Sequence, residues 1–132
     1  MANELMIIND SNPVYCSMTP TTVSEKKVLY NAVENPTDKI SALINKRIKI
    51  ANVHCTQSRV VDDDGLVADT VKTTIITPDG KGYVSPNSMG IFNAVRDLFA
   101  IFGTPDEWDE PLEVEVKQIE TKNGRYFRLE VV

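Results

Sequence analysis

Apolar and charged side chains alternate along two segments near the end of the chain. From Leu112 to Lys117, leucine and valine alternate with glutamate and lysine, and from Arg125 to Val131 every second residue starting at Phe127 is apolar. A period of two is typical of a strand with one buried face. Thr121-Lys122-Asn123-Gly124 lies between the segments and predicts a tight hairpin, because Asn-Gly readily adopts the positive φ angles of such a turn.

Three further strands are predicted upstream. Isoleucine alternates with basic residues from Arg47 to Val53, and Thr70 to Thr77 is rich in β-branched residues. Pro78-Asp79-Gly80 then turns the chain into a third strand, Lys81 to Val84. The longest connection, Val61 to Asp69, carries four aspartates and is expected to be a solvated loop.

One segment, Ser85 to Gly103, has helical periodicity. Ser85 is the predicted N-cap, Pro86 suits the first helical position, and Gly103 ends the helix. Apolar residues recur at spacings of three and four, so one face is expected to pack against a sheet. This stripe consists of Ile91, Phe92, Val95, Leu98, Phe99 and Phe102.

The predicted order is therefore three strands, one helix between strands three and four, and two more strands. This order is that of an OB-type barrel, a mainly β fold with five strands. We assign it to residues 39–132. Barrels of this size commonly bind single-stranded nucleic acid or oligosaccharides.

Residues 1–38 form an N-terminal, β-rich extension in this interpretation. Short β-like pieces, at Leu5 to Ile8, Val14 to Met18 and Lys27 to Val33, are separated by prolines, and Asp38 to Asn45 predicts a short helix capped by Thr37 or Asp38. Two roles remain open for the extension: a hairpin packed on the barrel, or an arm that contacts another subunit of a homo-oligomer.

Composition excludes several classes of protein. The chain of 132 residues is 42% hydrophobic, as expected for one ordinary domain, and it contains neither a long apolar run nor a basic-then-apolar leader. We therefore expect a protein of the cytoplasm with no membrane partner. Cys16 and Cys55 are expected to be buried thiols, and a single histidine gives no metal site and no base for a nucleophile. We expect no enzymatic activity and no cofactor.

The net charge of the chain argues against a nucleic-acid ligand, but the distribution of charge along the chain does not. Fourteen basic and nineteen acidic residues give a net charge of −5, but Lys39 to Val61 contains five basic residues and no acidic one. Conversely, Asp106 to Glu115 is strongly acidic. Because the local field decides where a phosphate binds, a segregated chain of this kind is compatible with nucleic-acid binding.

The candidate binding residues are the two kinds that hold single strands: cations for phosphates and aromatic rings for bases. Tyr83 and Tyr126 are the candidate stacking residues, whereas Tyr15 and Tyr30 are interpreted as structural. Trp108 is surrounded by acids and is expected to cover the apolar end of the barrel. The candidate phosphate ligands are Arg47, Lys49, Lys72, Lys117, Lys122, Arg125 and Arg128.

Several segments resemble one family of known proteins. They are Thr73-Thr74-Ile75-Ile76, Asp79-Gly80-Lys81-Gly82-Tyr83-Val84-Ser85, Leu98-Phe99-Ala100-Ile101-Phe102-Gly103, Leu112-Glu113-Val114-Glu115-Val116-Lys117 and Lys122-Asn123-Gly124-Arg125-Tyr126-Phe127. Over residues 40–132, the chain resembles single-stranded DNA-binding proteins of tailed phages of Gram-positive bacteria, including those with protein-primed replication.

The resemblance implies sequence-independent binding of single strands in replication or recombination, and proteins of these processes as further partners. It also implies that Tyr83 stacks on a base. Relatives often carry another aromatic residue late in the first strand, where this chain has Val53-His54-Cys55-Thr56-Gln57. His54 is either a flat substitute or a structural residue.

The net charge supports a competing hypothesis of a different class. An acidic OB-type module could recruit a protein partner through the extension or through Asp106 to Glu115, without binding nucleic acid. The sequence alone leaves both functions open.

Overall fold

The fold is mainly β, with two helices. A computed structural model describes residues 6–7, 13–61, 63–86, 89–122 and 124–132. Its helices are α1 (Val23–Glu34) and α2 (Met89–Phe102), and short 3-10 turns occur at Ile40–Leu43 and Pro105–Glu107. The strands are β1 (Met6–Ile7), β2 (Pro13–Cys16), β3 (Asp38–Lys39), β4 (Arg47–Ile50), β5 (Asn52–Val61), β6 (Val67–Ile76), β7 (Gly82–Ser85), β8 (Leu112–Thr121) and β9 (Gly124–Val131).

The strands form two sheets. One has the order β1-β2-β5-β6-β7-β3, and the other has the order β4-β8-β9. All pairings within them are antiparallel except that of β3 with β7. In the part of the chain that the structure describes, the two sheets do not close into one barrel, because β3 and not β9 occupies the free edge of β7.

The predicted first strand is two strands. Only Ala51 separates β4 from β5, which belong to different sheets. The Ala51 N–H donates to the Ile76 carbonyl at 2.9 Å, so the bend is fixed to the end of β6. Side chains on both sides of the bend, Ile50 and Val53, are fully buried. The chain thus turns from one sheet into the other while keeping an apolar residue in the core on each side.

The core lies between the sheets and under α2. Val53 and Ile75 come from the larger sheet, Ile50 and Val114 from the smaller one, and all four are fully buried. From α2, the buried side chains are Ile91, Val95 and Leu98. The predicted packing of the α2 stripe is confirmed for these residues and is wrong for Phe102, which is 44% exposed.

The predicted start of α2 is also wrong. Ser85 ends β7, where it pairs with Thr73 and is buried, and the helix begins at Met89. The residue predicted to cap the helix is therefore part of the sheet. The predicted end is confirmed: Gly103 has a φ of 82° and its N–H donates to the Phe99 carbonyl at 3.0 Å, as at a helix C-terminus closed by glycine.

The aspartate-rich connection is shorter than expected. β5 extends to Val61 and β6 begins at Val67, so Asp69 lies in β6, paired with Arg59. Asp62 falls outside the described residues, and Asp63 and Asp64 are exposed.

The N-terminal part contains a helix where a strand was predicted. The segment from Lys27 to Val33 lies within α1. At the start of this helix, the Thr22 hydroxyl accepts from the Glu25 N–H, and the Glu25 carboxylate accepts from the Thr22 N–H. This capping box starts the helix. The predicted helix from Asp38 to Asn45 is instead β3 followed by a 3-10 turn.

β1 and β2 pair with each other, and β2 extends the larger sheet by pairing with β5.

Cys16 and Cys55 are both buried free thiols, as expected, and burial raises the pKa of Cys55 to about 11. Neither described helix has the length and apolar character needed to span a bilayer.

Trp108 is structural, as expected. Its indole Nε1–H donates to the carbonyls of Phe102 and Gly103 at 3.1 and 3.0 Å, and its ring meets Phe99 edge-on at a centroid distance of 6.0 Å. Trp108 therefore caps the last turn of α2 and covers the core at the same time.

Helix α1 packs on the larger sheet through a glycine. A Cβ atom at Gly82 would lie 2.1 Å from the backbone oxygen of Ala32, which is itself buried. The helix backbone therefore rests directly on β7, a separation that only glycine allows.

We predict that Gly82→Ala destabilises the fold by about 1–3 kcal/mol, because α1 must move away from β7. Chemical denaturation monitored by circular dichroism measures this loss. Ser24→Ala, on the exposed surface of the same helix, is the control and should change stability by less than about 0.5 kcal/mol. Equal stability of the two variants would contradict the close helix–sheet contact.

His54 lies half-buried on the sheet face that also carries Cys16, opposite to the face of Val53. Burial lowers the pKa of His54 below its usual 6.5, and the charge of Lys72 lowers it further, against a weaker opposing effect of Glu34. The neutral imidazole is therefore the form that the fold favours.

This shift predicts a pH dependence of stability. Because the pKa of His54 is lower in the folded chain, the unfolded chain binds the proton more readily, and stability falls as the pH decreases from about 7 to 5. Unfolding free energies across this range should fall less steeply in His54→Gln. Identical slopes for the two proteins would assign the dependence to other groups.

Candidate nucleic-acid interface

Five of the predicted binding residues share the outer face of the β4-β8-β9 sheet. Ile48 and Ile50 point into the core, so their neighbours on β4 point outward. The strand register aligns these neighbours with the outward residues of β8 and β9. We call this surface the cationic face; its predicted members are Arg47, Lys49, Lys117, Tyr126 and Arg128.

Tyr126 is accessible on this face. It is 41% exposed, whereas the adjacent Phe127 packs against the core. The outward Tyr126 and inward Phe127 are as the alternation predicted. On β9, Tyr126 lies two residues from Arg128, on the same side of the strand, and pairs with Ile119 of β8. A base stacked on Tyr126 would place its phosphate near Arg128.

Carboxylates are interleaved with these cations. By register, Glu113, Glu115 and Glu130 lie on the same face, so four cations face three carboxylates. Glu115 is the most engaged: its Oε2 is 2.6 Å from Lys117 Nζ, and its Oε1 is 3.5 Å from Arg47 Nε. The hydrogen bond from Lys117 lowers the pKa of Glu115 and in turn raises the pKa of Lys117. One carboxylate thus holds two of the cations.

A groove adjoins the cationic face at β4. It has a volume of about 340 Å³, near the lower end of the range of small-ligand sites. Arg47 and Lys49 line it from β4, and Tyr83 and Lys81 line it from β7 and the turn before it. The sequence did not single out Lys81 as a ligand, although it directly follows the Asp79-Gly80 turn that identified the position of Tyr83.

Tyr83 lies on the core side of its sheet and not on the outer side, where it was expected. It pairs with Ile75, which is fully buried, so both side chains share the face that packs on the core. Tyr83 packs against the core and also lines the groove, so its side chain is only partly buried. Its ring therefore lines a groove together with Arg47 and Lys49 and is not a platform on an open surface.

Two predicted ligands lie at the tip of the β8–β9 hairpin. Lys122 is exposed, and Arg125 has a side chain 67% exposed that forms an ion pair with Glu120 at 3.4 Å between Nε and Oε1. Asn123, in the predicted turn, is outside the described residues. Lys122 can follow a strand that leaves the cationic face. Arg125 alternates with Tyr126 along β9 and pairs with Glu120, so it lies on the opposite face of the sheet.

Lys72 is not part of this assembly. It lies on β6 opposite Thr56, on the sheet face of His54, whereas Tyr83 lies on the other face of the same sheet. The structure therefore separates Lys72 and His54 from the groove, and His54 does not join Tyr83 as a stacking surface.

The arrangement suits a linear polyanion better than a small substrate. Cations and an accessible ring extend across one sheet, and a tyrosine-walled groove continues from its edge. Nowhere in the described ranges do three or more histidine, cysteine, aspartate or glutamate side chains cluster in a way that could hold a metal ion. Cations along a backbone with rings for bases are the physical requirements for single-stranded nucleic acid.

Comparison with known proteins agrees with this geometry. A family model described as phage single-stranded DNA-binding protein, of the Phi29 type, matches residues 8–131. No curated protein and no solved structure matches the chain.

The match begins well before residue 40, where the resemblance of the sequence segments was expected to start. Most of the N-terminal extension therefore belongs to the family as well. The match also decides between the two functions left open by the sequence, in favour of DNA binding. The chain belongs to the Phi29-type family of phage single-stranded DNA-binding proteins.

Proposed function

We propose that the protein binds single-stranded DNA across the cationic face and in the adjoining groove, with bases on Tyr126 and Tyr83. The observation that carries this proposal is the position of Arg47 and Lys49. These two residues belong to the cationic face and also line the groove that Tyr83 lines. One strand can therefore contact both surfaces through the same two cations, although carboxylates, including Asp79 in the groove, lie among the cations.

The expected binding mode has no sequence preference. Lysine and arginine contact phosphates, which are the same at every nucleotide, and a tyrosine ring stacks on any base. A protein of this kind protects single strands and removes their secondary structure, because it binds the unpaired form and draws the equilibrium toward it. We propose that it does so in phage DNA replication or recombination, in the host cytoplasm, as a binding protein without enzymatic activity.

The strand connections support an opened version of the OB-type plan. β4 and β5 together correspond to a first strand that bends at Ala51 and pairs with β6 on one side and with β8 on the other. β6 pairs with β7, α2 follows, and β8 pairs with β9. We propose that residues 39–132 carry this plan and the DNA site, and that residues 1–38 extend it.

Single-stranded DNA competes with Glu115 for Lys117 and Arg47. Both cations are engaged by that carboxylate in the free protein, and Lys117 is only 30% exposed. A phosphate must therefore displace the carboxylate or bind to the other cations of the face, Lys49 and Arg128. We propose that Glu115 limits affinity in this way and helps the protein to release its strand.

The first test removes the stacking rings. Tyr126→Ala should weaken binding of oligo-dT by about 1–3 kcal/mol, whereas Tyr126→Phe should bind nearly as the wild type because stacking needs only the ring. Tyr83→Ala should lose a similar amount, with Tyr83→Phe as its control. Fluorescence anisotropy with labelled oligo-dT gives the affinities, and denaturation checks the fold of Tyr83→Ala, since that ring also packs on the core. Unchanged affinity in both alanine variants, or equal binding of a duplex, would refute the proposal.

The second test concerns Glu115. Glu115→Gln should raise the affinity for oligo-dT and make the slope of log K against log salt more negative by about 0.7 for each cation that it frees. Glu113→Gln is the matched control: it removes the same charge from the same strand and face, but Glu113 forms no ion pair with any described residue. If both variants gain affinity equally, the effect is one of total charge, and the specific role of Glu115 is wrong.

A further inference from the structure

The outer face of α1 combines an exposed aromatic ring with two lysines. Tyr30 is 64% exposed, compared with 44% for Phe102 and 41% for Tyr126. Lys26 and Lys27 precede it by four and three residues, the spacings that place helical side chains on one face. Val23, 68% exposed, lies one turn further along the same face. We call this surface the α1 face.

This exposure is not forced by the packing of the helix. The opposite side of α1 contributes Ala32 to the contact with Gly82 and Val28 to the contact with Gly80. The helix is therefore already anchored, and Tyr30 contributes nothing visible to that anchor. An exposed ring alone is ordinary, but a ring beside two lysines on one helix face combines the two kinds of group that hold single-stranded nucleic acid.

The two lysines are available to such a ligand. Neither Lys26 nor Lys27 forms an ion pair in the part of the chain that is described, in contrast to Lys117 and Arg47 on the cationic face. Glu25, the acid nearest to them in sequence, is directed to the start of the helix, where its carboxylate accepts from Thr21 and Thr22. Glu34, at the last turn, is the one acid on the same side.

Helix α1 borders a second groove through Val28, on the side opposite to the α1 face. The turn from Thr77 to Asp79 lines the groove of Tyr83, and it also lines a second groove of about 280 Å³, whose other wall includes Val28 of α1. A Cβ at Gly80 would lie 3.4 Å from Val28 Cγ1, so the turn and the helix are in direct contact. A strand leaving the first groove over this turn reaches the second groove and the anchored side of α1. It must then pass around the helix to reach the α1 face.

We propose that the α1 face is a second contact surface for the same strand of DNA, with Tyr30 under a base and Lys26 and Lys27 on the flanking phosphates. This inference rests on the proposed function, because the strand arrives from the groove beside Tyr83. It assigns a DNA-binding role to the N-terminal part, and it reverses the structural interpretation of Tyr30. The protein then covers a longer stretch of DNA than the cationic face and the groove would cover alone.

Oligonucleotide length provides the test. Two oligo-dT probes, of about 5 and about 16 nucleotides, span the range of strand lengths that one OB-type unit covers. With the longer probe, Tyr30→Ala should lose about fivefold or more in affinity, and Tyr30→Phe should restore it. With the shorter probe, which the groove and the cationic face can fill, the loss should disappear.

The lysines provide an independent measurement. Replacing Lys26 and Lys27 together by glutamine should make the salt slope for the longer probe less negative by about 1.4, whereas the double arginine variant should keep it. In addition, bound DNA should protect Lys26 and Lys27 from acetylation, as measured by mass spectrometry.

Tyr126→Ala, measured beside these variants, separates the two proposals. If Tyr126→Ala weakens both probes and Tyr30→Ala weakens neither, the α1 face is not a DNA surface, while the proposed function stands. If neither substitution weakens either probe, both proposals fail. If Tyr30→Ala lowers the oligomeric state in sedimentation and leaves affinity unchanged, the face is a contact between copies, and this inference is overturned.

Discussion

The bend at Ala51 sets the direction of both sheets. Ile50 and Val53 must both be buried, yet they lie on strands of different sheets, separated by two residues. The hydrogen bond from Ala51 to the end of β6 holds this change of direction in place. Once it is fixed, the alternation along β4 leaves no choice: Arg47 and Lys49 point away from the core, toward the sheet surface and the groove. The position of the candidate DNA site is thus a consequence of core packing one residue away.

Local periodicity was enough to predict most of the strands, because alternation is a property of neighbouring residues. The hairpin from Leu112 to Val131, the end of α2 at Gly103 and the outward side of Tyr126 follow from such patterns. The start of α2 did not, since Ser85 has the chemistry of a cap but its backbone is already paired with Thr73. Pairing between distant strands is invisible to a local pattern.

Two other differences have separate causes. Helix α1 could have been found from Thr22-Val23-Ser24-Glu25, a capping-box signature that precedes good helix formers, so that signal was present and not used. The side on which Tyr83 lies could not have been found in this way. Its strand is only four residues long and is buried on both faces, so alternation carries no information about which face meets the core. Lys72 was placed with the other cations for a similar reason: charge is readable from the sequence, but the sheet to which it belongs is not.

Positive and negative side chains alternate at short distances on the surface of the protein, so it has no broad region of one charge on the cationic face. A net charge of −5 is unfavourable for meeting DNA at long range, and even the cationic face carries almost as many carboxylates as cations. Affinity must therefore come from contacts at close quarters, where ring stacking and individual phosphate contacts outweigh the long-range field. A protein built in this way binds a flexible strand that can adapt to its surface, and offers little attraction to stiff duplex DNA.

The position of Trp108 determines which structural change the intrinsic tryptophan fluorescence of this protein detects. The chain has a single tryptophan, whose indole donates to the carbonyls at the end of α2 and meets Phe99 edge-on. Its emission spectrum consequently follows the integrity of the α2 terminus and the core beneath it. The four tyrosines, by contrast, include every ring assigned here to a base. Tryptophan emission from an unlabelled sample therefore reports on folding at a position to which no base contact is assigned.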